Sequence, residues 1–449
     1  MRHSVSSVAL PTGSEASGSA VAAPGMLRRV IVSSAIGNAF EWFDFAVFAT
    51  FATVISKLFF PAVNEVNSLL LGLATFGVAF AVRPIGGVLL GLYADKVGRK
   101  QALLLMILLM ALGTGLIGIL PTYASIGIAA PLLMVVARVI QGISISGEFA
   151  SASAMLIEFS PPNRRGLVGS TNMCSNSLAY TVGAAFGYVV STRLDASDFE
   201  SWGWRIPFLF GILVGPVGYY IRHKIDETPE FEKMRATRSQ GAGLILREAL
   251  TRHGRALFAV FCIVVLITVS QYVVIIYLPI YAMRQLHLTM GDVQLSAVAA
   301  TTLIIVLCPL AGHLSDLFGR RAVIMPAVLL YNVLAYALVW RLLNSPSFGN
   351  LVLFQVLTCG AMAFLWGPVP ALMTEVFPVS IRTTALSLVM NLGVLLFGGL
   401  APFALTWVIS ATGDLMTPVY YITFSSVLGL IGLLLLRENR RASSPEASG

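Results

Sequence analysis

Residues 37 to 48 read GNAFEWFDFAVF and set Asn38, Glu41 and Asp44 three apart inside a stretch that is otherwise almost wholly apolar from Val30 to Ile55. At helical spacing these side chains lie roughly along one side of a helix, with Glu41 about 16 Å along the axis from Val30. Arg83 stands about 13 Å by helix rise from Leu92, and Arg138 about 15 Å from Ile128. A charge at the centre of a bilayer costs roughly 2.5 to 3.5 kcal/mol on insertion scales, so all four should face an interior and find partners. Two chemistries fit. Glu41 and Asp44 exchange protons, with ligand-dependent access to an arginine switching their protonation, or they form a permanent buried lock. Arginine keeps its charge, and its planar fork suits bidentate capture of a carboxylate, so Arg83 and Arg138 either anchor an anionic ligand or serve Glu41, Asp44 or Glu148 structurally. Gln141, one turn from Arg138, adds a hydrogen-bonding group, and Glu148 lies farther along, where a gate or ion pair is expected.

The second half of the chain offers Gln271, Tyr277, Tyr281 and Arg284 in QYVVIIYLPIYAMR, Trp366 beside Gly367 and Pro368, and Asn391. Tyrosine pairs an apolar body with a polar tip, which suits either a ligand site or, for Tyr281 and Arg284, a belt at a membrane interface. The five histidines (His3, His223, His253, His287, His313) have no metal-ligand spacing, and no nucleophile–base arrangement or phosphate loop is present. No metal, cofactor or enzymatic activity is expected. The four cysteines, Cys174, Cys262, Cys308 and Cys359, fall in apolar stretches and read as small packing residues.

The elements that must hold these groups follow from composition. Of 449 residues, 57% are hydrophobic and 11% charged, against roughly 25% charged in a soluble domain. Windows near 20 residues with few charges, long enough to span a hydrocarbon core, fall near 30–56, 68–92, 101–121, 128–157, 167–191, 204–222, 255–282, 293–314, 322–343, 350–375, 384–409 and 418–436. These should be helices, since a helix satisfies its own backbone polar groups in lipid. The net charge of +8 reflects topology rather than nucleic-acid binding. With the N-terminus inside, 22 of the 29 Lys and Arg fall in inside segments, five in outside segments and two within spans. The positive-inside rule thus places both termini in the cytoplasm. Residues 1–27 and 438–449 read as polar tails, and no cleaved signal is apparent at the start.

Between spans two and three stands DKVGRK (Asp95, Gly98, Arg99, Lys100), and between spans eight and nine DLFGRR (Asp316, Gly319, Arg320, Arg321), at an offset of 221. A second pair, EFSPPNRR and EVFPVSIR, aligns Glu158 with Glu375 and Arg165 with Arg382 at an offset of 217. The chain therefore reads as two six-helix halves, 28–222 and 255–437, joined by a basic linker over 223–254. Within that linker ETPEFEKM reads as a short amphipathic helix, a solvated face or a regulatory element. In the loop motif glycine permits a tight turn, and its Asp can sit near the N-terminus of the next span. Glu375 and Arg382 join these loops as candidate gate residues. Two repeated halves suit alternating access, one half rocking against the other about a shared site.

On these motifs the chain resembles a major facilitator superfamily transporter over roughly residues 28 to 437. GNAFEWFDF, RPIGGVLLG, RVIQGISISGE, WGWRIPF and RHKIDETPEF resemble the metabolite:proton symporter family within it. LMTEVFPVSIRT and LLFGGLAP are similar to the citrate and tricarballylate symporters, although Met283 stands where those carry a basic residue after the tyrosine pair. The resemblance implies an all-α membrane protein of twelve transmembrane helices in two pseudo-symmetric halves. It implies a monomeric symporter in a bacterial inner membrane that imports a small organic anion such as a di- or tricarboxylate with protons. Its partners would be the substrate, protons and the lipid bilayer. The alternatives are a symporter of a zwitterionic osmolyte or aromatic acid, or a receptor that binds without transport. Span five lacks the glycine–proline signature of drug antiporters, which favours symport over efflux.

Overall fold

A computed structural model describes residues 24–97, 99–144, 148–212, 250–379 and 381–436. In the first half the helices are α1 (Pro24–Thr50), α2 (Ala52–Phe59), α3 (Glu65–Val97), α4 (Arg99–Ile119), α5 (Tyr123–Ile126), α6 (Ala129–Ser144), α7 (Glu148–Glu158), α8 (Arg165–Arg193) and α9 (Ala196–Ser201). Residues 206–212 open a further helix. The second half holds α10 (Gly254–Ser270), α11 (Leu278–Gln285), α12 (Met290–Phe318), α13 (Arg320–Asn344), α14 (Phe348–Trp366), α15 (Val369–Val376), α16 (Arg382–Val394), α17 (Ala401–Thr412) and α18 (Thr417–Leu435). Residues 271–277 and 395–399 are π-helical, joining α10 to α11 and α16 to α17.

Each expected window meets a helix. Window four appears as α6 and α7 on either side of 145–147, and window six is described only to residue 212. Gly98, the tails and the linker up to residue 249 lie outside the described residues, as do the side chains of Asp95, Arg99, Lys100 and Glu148. Nine described stretches are long and apolar enough to cross a membrane. The 29-residue α8 is more polar, and its Asn172, Ser175, Asn176 and Ser177 are buried inside the bundle. Caps set the starts of the short α9 and of the long α12 and α14: Asp195, Thr289 and Ser347 accept from the amides of Asp198, Asp292 and Asn350. On α13 the reverse polarity holds, with Leu329, Leu330, Val333, Tyr336 and Trp340 exposed. An apolar stripe of that length suits contact with lipid rather than water.

The most extensive helix pairing joins the halves. The helices α8 and α12 run antiparallel, with Gly166 against Gly312 near one end and Thr192 against Gly291 near the other. At the first of these ends the loop motif of the second half works across the interface. The Asp316 carboxylate accepts from the amides of Gly166 (2.8 Å) and Leu167 (2.9 Å) at the start of α8, where unsatisfied N–H groups and the helix dipole favour an anion. It thus serves the other half, not the helix that follows it. Gly319, at φ 97°, makes the turn. Arg320 then bridges Asp316 (2.6 Å) and Glu375 (3.1 Å). Arg165 of the first half lies 4.0 Å from Glu375, and Arg382 pairs with Glu158 at 3.0 Å.

A Cβ on Gly312 would stand 2.4 Å from the Gly166 carbonyl oxygen, which is backbone and cannot yield. Gly312→Val should therefore part the halves at this end. In a background without native cysteines, a cysteine replacing the buried Ser170 should gain reactivity toward a maleimide. Equal protection with and without the valine would refute the close approach as a structural requirement.

Candidate functional site

The charges singled out in the sequence converge. Glu41, Asp44, Arg83 and Arg138 are all buried, and Arg83 Nη2 lies 3.8 Å from Glu41 Oε1. Arg138 donates to Gln141 Oε1 at 2.8 Å and to the Phe76 carbonyl at 3.5 Å. Gln141 in turn donates to Thr114 Oγ1 at 2.9 Å. Asp44 lies beside the Thr114 hydroxyl, which donates to the Met110 carbonyl at 3.0 Å, and stands in the field of Arg138. Four helices thus close a network: α1 supplies both acids, α3 and α6 one arginine each, and α4 the threonine.

Aromatic faces complete the cage. The Arg138 guanidinium lies 4.1 Å from the Phe48 ring centroid and 5.2 Å from those of Phe45 and Phe76. Arg83 lies 4.6 Å from Phe80, 5.2 Å from Phe45 and 6.0 Å from Trp42. Such contacts attract a cation through the ring quadrupole and strengthen when water is excluded. Glu41, Phe45 and Phe48 recur at helical spacing on α1, so one face of the helix alternates acid and ring.

The second half reaches this group through the π segment. Gln271 donates to Tyr180 Oη (3.1 Å) and Asn176 Oδ1 (3.3 Å) on α8. Tyr272, fully buried, packs on Phe80 and Phe76 and lies within the electrostatic reach of Arg83, Arg138 and Glu41. Among the described residues the Tyr272 hydroxyl, Trp42 Nε1, Arg83 Nε and Nη2, and Asp44 Oδ2 are buried without a hydrogen-bond partner. Buried polar groups are rarely left so, and their meeting between the two halves marks the candidate binding site.

Other candidates stand apart. Asn38 donates to the Asn172 carbonyl (3.0 Å) and Ser175 Oγ (2.8 Å), tying α1 to α8. Trp366 donates to Ser270 Oγ at 2.9 Å inside the second half. Tyr277 stacks near Tyr281, whose hydroxyl donates to the Leu415 carbonyl at 2.9 Å, so both tyrosines brace α11 against its own half. Asn391 is half-buried on α16. Sequence reasoning missed Tyr272, Tyr180, Thr114 and the rings around the arginines. Tyr272 adjoins Gln271, but at roughly 100° per residue an α-helical register turns the two side chains toward different faces. A π turn takes more residues per turn and rotates the face presented.

Residues 30–250 match the family Sugar (and other) transporter, and residues 260–449 match the Major Facilitator Superfamily. The chain is 34% identical to the proline/betaine transporter of Salmonella typhimurium over 94% of its own length and 87% of that protein's. It is 36% identical to the citrate-proton symporter of Klebsiella pneumoniae over 89% of each. The crystal structure of D-xylose-proton symporter superposes with a TM-score of 0.73 at 18% identity, covering 92% of this chain and 98% of that one. The protein is therefore a membrane transporter with the twelve-span, two-half fold, not an enzyme. It belongs to the major facilitator superfamily and, within it, to the metabolite:proton symporters.

Removing one member of a buried pair leaves the other charge uncompensated. Arg138→Ala should thus lower stability by about 3 kcal/mol or more, and adding Asp44→Asn should restore much of that loss. Thermal unfolding of the detergent-solubilised single and double variants measures it, and strictly additive effects would show that the two groups do not interact.

Proposed function

We propose that the protein is a proton-coupled symporter that imports a small carboxylate-bearing metabolite by alternating access. The substrate carboxylate is held by Arg83 at the interface between the halves, and Asp44 carries the proton. The observation that carries this reading is the set of buried donors without hydrogen-bond partners among the described residues, Arg83 Nε and Nη2, Trp42 Nε1 and Tyr272 Oη, drawn from both halves, with the Trp42 ring 6.0 Å from the Arg83 guanidinium and Tyr272 within its electrostatic reach. A planar guanidinium offers a carboxylate two parallel charge-assisted hydrogen bonds. Asp44, one turn along α1 beside Thr114 and in the field of Arg138, is suited to proton exchange. Glu41, at 3.8 Å from Arg83, is suited to releasing that arginine when substrate arrives.

Charge balance supports a substrate with one carboxylate. Two acids and two arginines sum to zero, so one proton admits one negative charge without leaving net charge in the bilayer. A zwitterion of the proline or betaine type brings no net charge, so with one proton the site would carry one positive charge, which the rings of Trp42, Tyr180 and Tyr272 would partly offset. Citrate is the second reading, favoured by the 36% identity to a citrate-proton symporter. It would require further protons or cations, and Arg138 is already engaged by Gln141 and three rings. The distribution of Lys and Arg supports a bacterial inner membrane location with both termini and the loop-motif end in the cytoplasm. The ion pairs around Asp316 would then close the inner side. The proton gradient would supply the energy, with no cofactor and with the monomer as working unit.

In proteoliposomes carrying an inward proton gradient, labelled betaine or proline should accumulate, citrate should compete weakly, and the external medium should turn alkaline on substrate addition. Uptake with no pH change would rule out symport, and strong accumulation of citrate alone would select the second reading. Arg83→Ala should weaken binding about 30-fold or more, the effect of losing a buried hydrogen-bonded charge worth ~2 kcal/mol. Asp44→Asn should keep substrate exchange while losing proton-driven accumulation, and unchanged accumulation would remove Asp44 from the proton path.

A further inference from the structure

We propose that Phe45 is the positioning residue that links the substrate arginine to the proton carboxylate, an inference that rests on the symport reading above. Phe45 is fully buried on α1, next to Asp44 and one turn from Glu41. Its ring centroid lies 5.2 Å from the guanidinium carbon of Arg83 and 5.2 Å from that of Arg138. Among the described residues no other ring serves both arginines: Trp42 and Phe80 face Arg83, while Phe48 and Phe76 face Arg138.

Hydrogen bonds fix the two forks only in part, since Nε of each and Nη2 of Arg83 are buried with no hydrogen-bond partner among the described residues. The electron-rich ring therefore sets where two like charges stand relative to each other. Repulsion between them is held in check by that shared attraction and by one acid each, Glu41 beside Arg83 and Asp44 near Arg138. A substrate carboxylate that draws Arg83 toward Tyr272 takes one cation off the ring and brings in one negative charge. Both changes make a proton on Asp44 more favourable, so substrate and proton strengthen each other's binding, and by linkage the effect is reciprocal. Without the ring's charge distribution the two arginines are placed independently and the link weakens. Phe45 contacts neither substrate nor proton in this scheme; it acts through the arginines.

The test separates coupling from transport. Phe45→Leu keeps apolar bulk but loses the ring face. It should slow substrate counterflow only modestly, since Arg83 keeps Phe80 and Trp42, and lose about tenfold more in accumulation under an imposed proton gradient than in counterflow. Phe45→Tyr should keep both. If the leucine variant does not fold, fluorinated phenylalanines at position 45 decide, because they keep the ring's shape while draining its negative face. Accumulation should fall stepwise from 4-fluoro- to 3,4,5-trifluorophenylalanine, and more steeply than counterflow. Wild-type accumulation across that series, or counterflow falling in step with accumulation, would overturn the role of Phe45. A wild-type protein that neither exchanges nor accumulates substrate would instead overturn the symport reading itself.

Discussion

Burying four full charges at the middle of an apolar bundle is the constraint that organises the rest. An arginine cannot shed its charge under ordinary conditions, so Arg138, with no exposed surface, must be surrounded by groups that stabilise a cation. It receives an amide oxygen from Gln141, a carbonyl from Phe76, the field of Asp44 and three ring faces. They come from α6 itself, from Phe76 on α3 and from residues 44–48 on α1, and together they fix how these three helices meet. The density of phenylalanine on α1 and α3 then has an electrostatic reason beyond apolar packing: Phe45, Phe48, Phe76 and Phe80 all present faces to a guanidinium.

The two halves divide the work. The charges buried at the centre, Glu41, Asp44, Arg83 and Arg138, belong to the first half. The second half contributes neutral donors to the centre, Gln271 and Tyr272, and places its ionised groups, Asp316, Arg320, Glu375 and Arg382, at the loop-motif end. It also holds both π segments. A π turn is less well packed than an α turn and often marks a functional position. Charge gathered in one half and π-helical backbone in the other suit a site whose walls move around a compact charged group.

Much of this was legible in the sequence because the signals are absolute rather than relative. A carboxylate or arginine in mid-span stands out against any apolar background, so Glu41, Asp44, Arg83 and Arg138 were found and the structure brings them together. The loop repeat was equally plain, and Asp316, Arg320 and Glu375 do meet. The missing part depended on register and long-range placement. Tyr272 is hidden by a π turn that no periodicity argument at 3.6 residues per turn anticipates. The pairing of Asp316 with the amides of Gly166 and Leu167 joins positions 150 and 149 residues apart, which no local spacing rule can reach. Phenylalanines in a membrane helix look like lipid-facing filler until the arginines beneath them are seen.

The helix α8 ties the centre to the ends. Its 29 residues make a rod of about 43 Å, held at its start by Asp316 and lying against α12 from Gly166 to Thr192. Near its middle Asn176 and Tyr180 accept from Gln271. A rod in contact along its length cannot open at one end without tilting toward its partner at the other, because packed interfaces are not continuously deformable. Release of the α8 N-terminus from Asp316 therefore cannot be a local event. A tilt of α8 about the level of Gln271, where Tyr272 lies within the electrostatic reach of Arg83, would move the central site and the loop-motif latch together.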